Sequence, residues 1–328
     1  ILGFLFVAFK KIEGQERKIW LWGLALASVS PLAILFSRKI WEQDVIVLFS
    51  LITVGGNMYR YNRVGAFLWG LAGAMAGQVH MSGFFYSAGL FLFTVIYDKL
   101  SQNKTKYLWW LVGSAIGSIG LIPWLNYMHS HPHETTLKWE HLFQFSFYFY
   151  WLVDSLGVNI MYSVRDEFWE LIKLPLIGFV PTYFIAIIHL FLAGTGIYLI
   201  KKIFNYVTVN LLVLKSKQKI KNYIRNLSLS EFYLWSVLLG LGVLLNFCGV
   251  ITFQHYLIVA FPFSYIFLSK ALISRPKLLL SVVTSQMIIS ISFIYYIHLN
   301  NGAVSGDYGK SYKFQIEKNL RSFESPSH

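Results

Sequence analysis

The chain has 328 residues, of which 56% are hydrophobic and 13% charged, with mean hydropathy +0.54 and a formal net charge of +13. Soluble domains carry about 25% charged residues, so the composition excludes an ordinary water-soluble globule and places the chain in lipid. The basic excess needs no nucleic-acid partner, because its distribution between loops accounts for it.

Apolar runs of the length that crosses about 30 Å of hydrocarbon, roughly 17–25 residues, recur along the chain. Ile1–Phe9 reads as the last part of one span. Ile19–Phe36, Val45–Met58, Val64–Val79, Met81–Tyr97, Tyr107–Tyr127, Pro175–Ile200, Phe232–Ile251, Tyr256–Ile273 and Leu278–Leu299 follow. Several are short, which suits tilted or protein-buried helices. The expected fold is all-α, a polytopic transmembrane helix bundle of about nine or ten spans, since helices satisfy their own backbone in lipid. It should occupy residues 1–300, with an outer segment at 128–174, a basic cytoplasmic loop at 201–230 and an outer-face tail at 301–328. The chain opens inside an apolar run without an initiator Met, so a segment upstream of residue 1 is expected. Ile1–Phe9 lacks the charged start and cleavage site of a signal peptide. The single cysteine, Cys248, sits in an apolar run and has no internal disulfide partner.

Lys and Arg concentrate in cytoplasmic loops. Alternating the loops gives one side Lys10–Lys18, Arg60, Arg63, Asp98–Lys106, Lys201–Arg225 with Glu231 just after it, and Lys270–Lys277, with 19 basic and 4 acidic residues. The other side carries 9 basic and 11 acidic residues, and eight of nine histidines; only His189 lies within a span. The expected location is therefore the plasma (inner) membrane, multi-pass, with any chemistry on the non-cytoplasmic face. Both Asn-X-Ser/Thr triplets, at Asn103 and Asn226, fall on the cytoplasmic side and should carry no glycan. The run Lys215–Arg225 reads as a positive-inside loop, with clamping of anionic lipid headgroups as the other reading.

Four stretches meet on the outer side if the helices bundle: SRKIWEQD (Ser37–Asp44), AGQVHMSGFF (Ala76–Phe85), ITFQHYLIVAFPF (Ile251–Phe263) and GDYGKSYKFQ (Gly306–Gln315). Arg38 and Glu42 are spaced to pair on one helical turn. Gly70, Gly73, Ala74 and Gly77 permit close helix packing just before Gln78 and His80. A histidine at a helix end is also a common structural hydrogen-bonding residue, and Arg38 also reads as a snorkelling juxtamembrane cation. HSHPHETTLKWEH (His129–His141) suggests metal by composition, but its spacing fits no closed zinc pattern. No metal ligand set is assigned, and the cofactor is unknown, with a divalent cation left open. Val164, Phe168, Leu171 and Ile172 share a face opposite Asp166, Glu167, Glu170 and Lys173, the pattern of an interfacial helix on the outer leaflet.

The succession of SP, FSRKIWEQD, WGLAGAMAGQVHMSGFF, QHYLIVAFPF and GDYGKSYKFQ resembles bacterial members of the polytopic GT-C glycosyltransferases. Within these it is most similar to the family 39 group, which holds protein O-mannosyltransferases and aminoarabinose transferases. The likeness runs from Ile19 to Gln315 as a pattern of helices and short motifs. It implies a sugar donor on polyprenyl phosphate, an unidentified acceptor, and inverting transfer at the outer surface. It also implies an essential acidic residue in the first outer loop, which would lie upstream of residue 1. An Arg followed by an Asp after a later span is matched here by Arg38 and Asp44.

The charge pattern suits that chemistry independently. Nucleotide sugars are cytoplasmic, so an external transferase needs a lipid-linked donor. Its phosphate sits at headgroup depth, where Arg38, Lys39 and His255 offer cations, and charge-assisted bonds to phosphate are strong. Asp44, with Glu42 nearby, is the candidate carboxylate for taking the acceptor's proton, a step worth about 10²–10⁴-fold. Gln78, His80, Gln254, Tyr256, Asp307 and Tyr308 are the candidate substrate-binding residues. Two other readings stay in play. A lipid or sugar transporter would place ionisable groups at span centres, which here are nearly uncharged. A non-catalytic scaffold subunit explains the 18% aromatic content but leaves the outer acids and histidines without a role.

Overall fold

The computed structural model describes residues 1–38, 41, 43–131, 142, 145–210, 216–249, 251–303, 309–311 and 313–317, with backbone alone at 206–210. Among the described residues the structure is helical apart from two two-stranded antiparallel hairpins, β1 (Leu176–Ile177) with β2 (Val180–Pro181) and β3 (Gly302–Ala303) with β4 (Gly309–Lys310). Among the described residues, four helices are long and apolar enough to cross a membrane, or up to seven if each bent pair counts as one span. That supports a multi-pass membrane protein, with fewer straight spans than the nine or ten expected.

The helices differ from the apolar runs where backbone chemistry interrupts them. The run Ile19–Phe36 is split into α2 (Gly14–Val29) and α3 (Pro31–Ser37): Ser30 caps α3 through its hydroxyl and Pro31 takes the first helical position, the place where a missing N–H is harmless. The run Tyr256–Ile273 becomes a 3₁₀ helix, Gln254–Ala260, followed by α15 (Phe263–Leu272) at 80° to it. Pro262 stands between them, and proline removes the donor a continuing helix needs. The run Phe232–Ile251 is α14 (Leu229–Val237) continued by a π-helical stretch, Leu238–Leu245, around Gly240 and Gly242. The expected interfacial helix is three pieces: α10 (Ile160–Val164), a 3₁₀ turn at Arg165–Glu167 and α11 (Phe168–Leu171). Arg165 has φ 48°, outside helical geometry, and Val164, Phe168 and Leu171 are buried within the protein.

The chain divides into two compact units. The first comprises residues 1–24, 40–152 and 203–271. Its centre is α4 (Gln43–Met58), α5 (Arg63–Val79), α6 (Met81–Ser101) and α7 (Tyr107–Gly117), with α14, its π extension and the 3₁₀ helix packed on α6 and α4. Glycines allow these approaches. A Cβ on Gly113 would strike the Phe67 carbonyl, one on Gly70 the Trp110 carbonyl, and one on Gly117 the Leu71 carbonyl. These matches place α5 and α7 side by side and parallel. In lipid, where no hydrophobic force drives helices together, such close backbone contact supplies the attraction.

The second unit comprises residues 25–39, 153–202 and 272–328. Here α16 (Pro276–Leu299) packs on α3, α11 and β3. Two of its polar residues face protein: Ser290 Oγ donates to the Val29 carbonyl at 2.6 Å and Gln286 Nε2 to the Ser155 carbonyl at 2.8 Å.

Candidate functional site

Within the first unit, His80 forms the joint between α5 and α6. It is extended (φ −155°), ends α5 through its own N–H to the Ala76 carbonyl, and caps α6 as Nδ1 accepts from the Ser82 N–H at 3.2 Å. The Ser82 hydroxyl lies 2.8 Å from the same nitrogen. An imidazole that accepts at Nδ1 carries its proton at Nε2 when neutral.

Against it lies the start of the 3₁₀ helix. The His80 ring meets Tyr256 edge-on at 4.6 Å and His255 at 5.4 Å. His255 in turn stacks on Phe253 (5.7 Å, 4° between planes) and meets Trp41 at 5.1 Å. The Tyr256 hydroxyl points to the Met81 sulfur at 3.8 Å. Two imidazoles and three aromatic rings from three distant stretches thus form one cluster. Its footing is firm, because the Ser50 hydroxyl of α4 donates to the Val259 carbonyl at 2.6 Å, fastening α4 to the 3₁₀ helix. Asp44 stands in the first turn of α4, its N–H bonded to the Trp41 carbonyl at 3.2 Å, where the helix dipole favours negative charge.

The remaining sequence-selected residues fall as follows. Gln254 is buried at the head of the 3₁₀ helix. Gln78 is directed to α7: its amide donates to the Gly117 carbonyl and to Ala74 O at 3.2 Å, beside an apolar depression that Phe49, Leu71, Met75 and Ile116 also line. It is not part of the ring cluster. Arg38 caps α3 in the second unit. Lys39, Glu42, Asp307 and Tyr308 lie outside the described residues, so the Arg38–Glu42 pairing does too. Of the histidine-rich stretch, His131 is exposed and stacks on Tyr127 at 4.4 Å; residues 132–141 lie outside the description. Among the described residues no three His, Cys, Asp or Glu side chains group as metal ligands.

Sequence reasoning missed Trp41 and Phe253, although both lie inside the quoted stretches; only the fold pairs them with His255. It also missed the opposite end of this unit. There Arg60 and Asp98, counted as ordinary loop charges, form a buried ion pair at 3.4 Å with side chains 8% and 4% exposed. Asp98 accepts further bonds from Thr105 (2.5 Å) and the Tyr107 hydroxyl (2.9 Å), while Arg60 donates to Tyr61 and to the Asn57 carbonyl. Burial pushes the Tyr61 hydroxyl above its ordinary pKa, against the opposing pull of the Arg60 charge. Nearby, Lys270 bridges Glu16 (3.6 Å) and Glu231 (3.4 Å). This end holds its charges in buried and half-buried ion pairs.

No protein-family model, curated protein or solved structure matches the chain.

Proposed function

We propose that this protein is a membrane glycosyltransferase that moves a sugar from a polyprenyl-phosphate carrier to an acceptor on the non-cytoplasmic side, with inversion. The reading rests on one observation: Trp41, His80 and His255, from three of the stretches that carry the GT-C resemblance, meet ring to ring. The basic loops favour the cytoplasm for the Arg60 end, which leaves this cluster facing outward at headgroup depth. In this reading His255 and the Nε2–H of His80 bind the donor phosphate, and hydrogen bonds to phosphate strengthen as the leaving group gains charge. Asp44 takes the acceptor's proton.

The test supplies membranes containing the protein with a polyprenyl-phosphate sugar labelled in the sugar. The label is expected in a new, non-carrier product. His255→Ala should slow transfer by on the order of 10²-fold, and Asp44→Asn by about 10²–10⁴-fold. Label that stays on the carrier in the parent protein ends the proposal. Unchanged transfer by Asp44→Asn at normal expression removes Asp44 from it. The transporter reading has less behind it, because the buried Arg60–Asp98 pair stands at the helix ends and not at the span centres where transport paths place charge. It predicts movement of intact labelled lipid between leaflets without a change of carrier, which the same reconstituted vesicles report.

A further inference from the structure

The segment joining the basic loop to α14 is a helix in its own right, α13 (Lys217–Arg225, KQKIKNYIR). It carries Lys217, Lys219, Lys221 and Arg225 and no acidic residue. Its axis turns 115° from the apolar helix Leu229–Leu245 that follows. If the latter crosses the bilayer, α13 lies much closer to the membrane plane than to its normal. Ile220, Lys221 and Ile224 are half-buried, while Lys217, Lys219, Asn222, Tyr223 and Arg225 are exposed, and the helix packs on α6. The bend is fixed from both sides. Ser228 and Glu231 form a capping box at the start of α14, and Arg225 Nε donates to the Leu100 carbonyl at the end of α6. At the inner corner the Trp235 indole N–H donates to the Tyr223 hydroxyl at 3.1 Å, both rings standing partly exposed. Trp and Tyr collect at the level of lipid headgroups, so this pair marks the depth at which α13 sits.

We infer that α13 is a docking surface for anionic phospholipid headgroups of the cytoplasmic leaflet. A basic helix held flat at headgroup depth beside an aromatic pair is an arrangement that attracts anionic headgroups. The opposed charge of the partner follows from four cations without a compensating acid on the helix. The inference takes the apolar helices as spans and stands apart from sugar transfer on the other face.

Purified full-length protein in neutral detergent is titrated with phosphatidylglycerol or phosphatidylcholine, and the unfolding midpoint is followed. Phosphatidylglycerol is expected to raise the midpoint, phosphatidylcholine to leave it nearly unchanged, and high salt to cancel the difference. Each cation near an anionic surface tightens binding about five-fold, so Lys217→Gln/Lys219→Gln/Lys221→Gln together should demand on the order of 100-fold more lipid for half-maximal protection. The corresponding Lys→Arg variant should behave as the parent and controls for misfolding. Equal protection by both lipids overturns the inference, as does selective protection that survives the triple Gln change. Protection by heparin as strong as by phosphatidylglycerol would assign the helix to a soluble polyanion and overturn it equally.

Discussion

At the scale of single residues, His80 has two duties that substitutions can separate. Its Nδ1 caps α6 and its ring faces His255 and Tyr256. His80→Ala removes both and should cost about 1 kcal/mol of stability through the lost cap. Asn is among the best N-caps, so His80→Asn should unfold at nearly the parental temperature while losing the ring contacts. Sugar transfer that falls as far in His80→Asn as in His80→Ala, with stability restored only in the former, is the expected result; transfer restored with the cap would reduce His80 to a structural residue. Asp98 offers the contrasting case. Asp98→Asn leaves the Arg60 guanidinium buried without its countercharge, and breaking such a pair costs about 3–5 kcal/mol. Denaturant unfolding should show that loss, while transfer per folded molecule should hold, because the pair lies at the far end of α6 from His80.

At the scale of elements, hydropathy located the helices, and small backbone devices decided their form. Gly70, Gly73 and Gly77 read from sequence as one packing stripe, but Gly70 faces Trp110 of α7 while Gly73 and Gly77 face Ser87 and Phe84 of α6, and α7 brings its own Gly113 and Gly117 against Phe67 and Leu71. Gly113→Leu has no room against the Phe67 carbonyl, so α5 and α7 must move apart; overpacking of this kind costs about 1–3 kcal/mol. A thermal midpoint lowered in Gly113→Leu but hardly moved in Gly55→Leu, where a Cβ meets nothing, is the expected pair of outcomes. The breaks at Ser30-Pro31 and Phe261-Pro262 carry the plainest local signal, since proline cannot donate to a helix ladder. The π stretch at Leu238–Leu245 had no comparable mark. Its widened turn accompanies the close meeting of Gly240 with Gly89 on α6, which depends on both helices at once.

At the scale of the whole molecule, the charge asymmetry predicts sidedness. Cys248, which hydropathy placed inside an apolar run, is exposed just beyond the π stretch, at the end of its helix away from Ser228. A membrane-impermeant maleimide should therefore label it from the non-cytoplasmic side in intact cells, and Cys248→Ser should abolish labelling. Asn103→Cys in the Cys248→Ser background should react only after permeabilisation. The reverse pattern would invert the topology and put the histidine cluster in the cytoplasm.

Sequence alone determined the helical class, because apolar runs of bilayer-spanning length satisfy their own backbone away from water as helices. The same one-dimensional pattern assigned His80, His255 and Asp44 to one face, since each span reverses the chain. Only tertiary structure decided that Trp41 and Phe253 bracket His255, that Gln78 serves α7, and that Arg60 and Asp98 pair in the interior. Those partners lie far apart along the chain, and side-chain meetings of that kind depend on which helices pack, at what rotation and how closely, quantities that hydropathy does not encode.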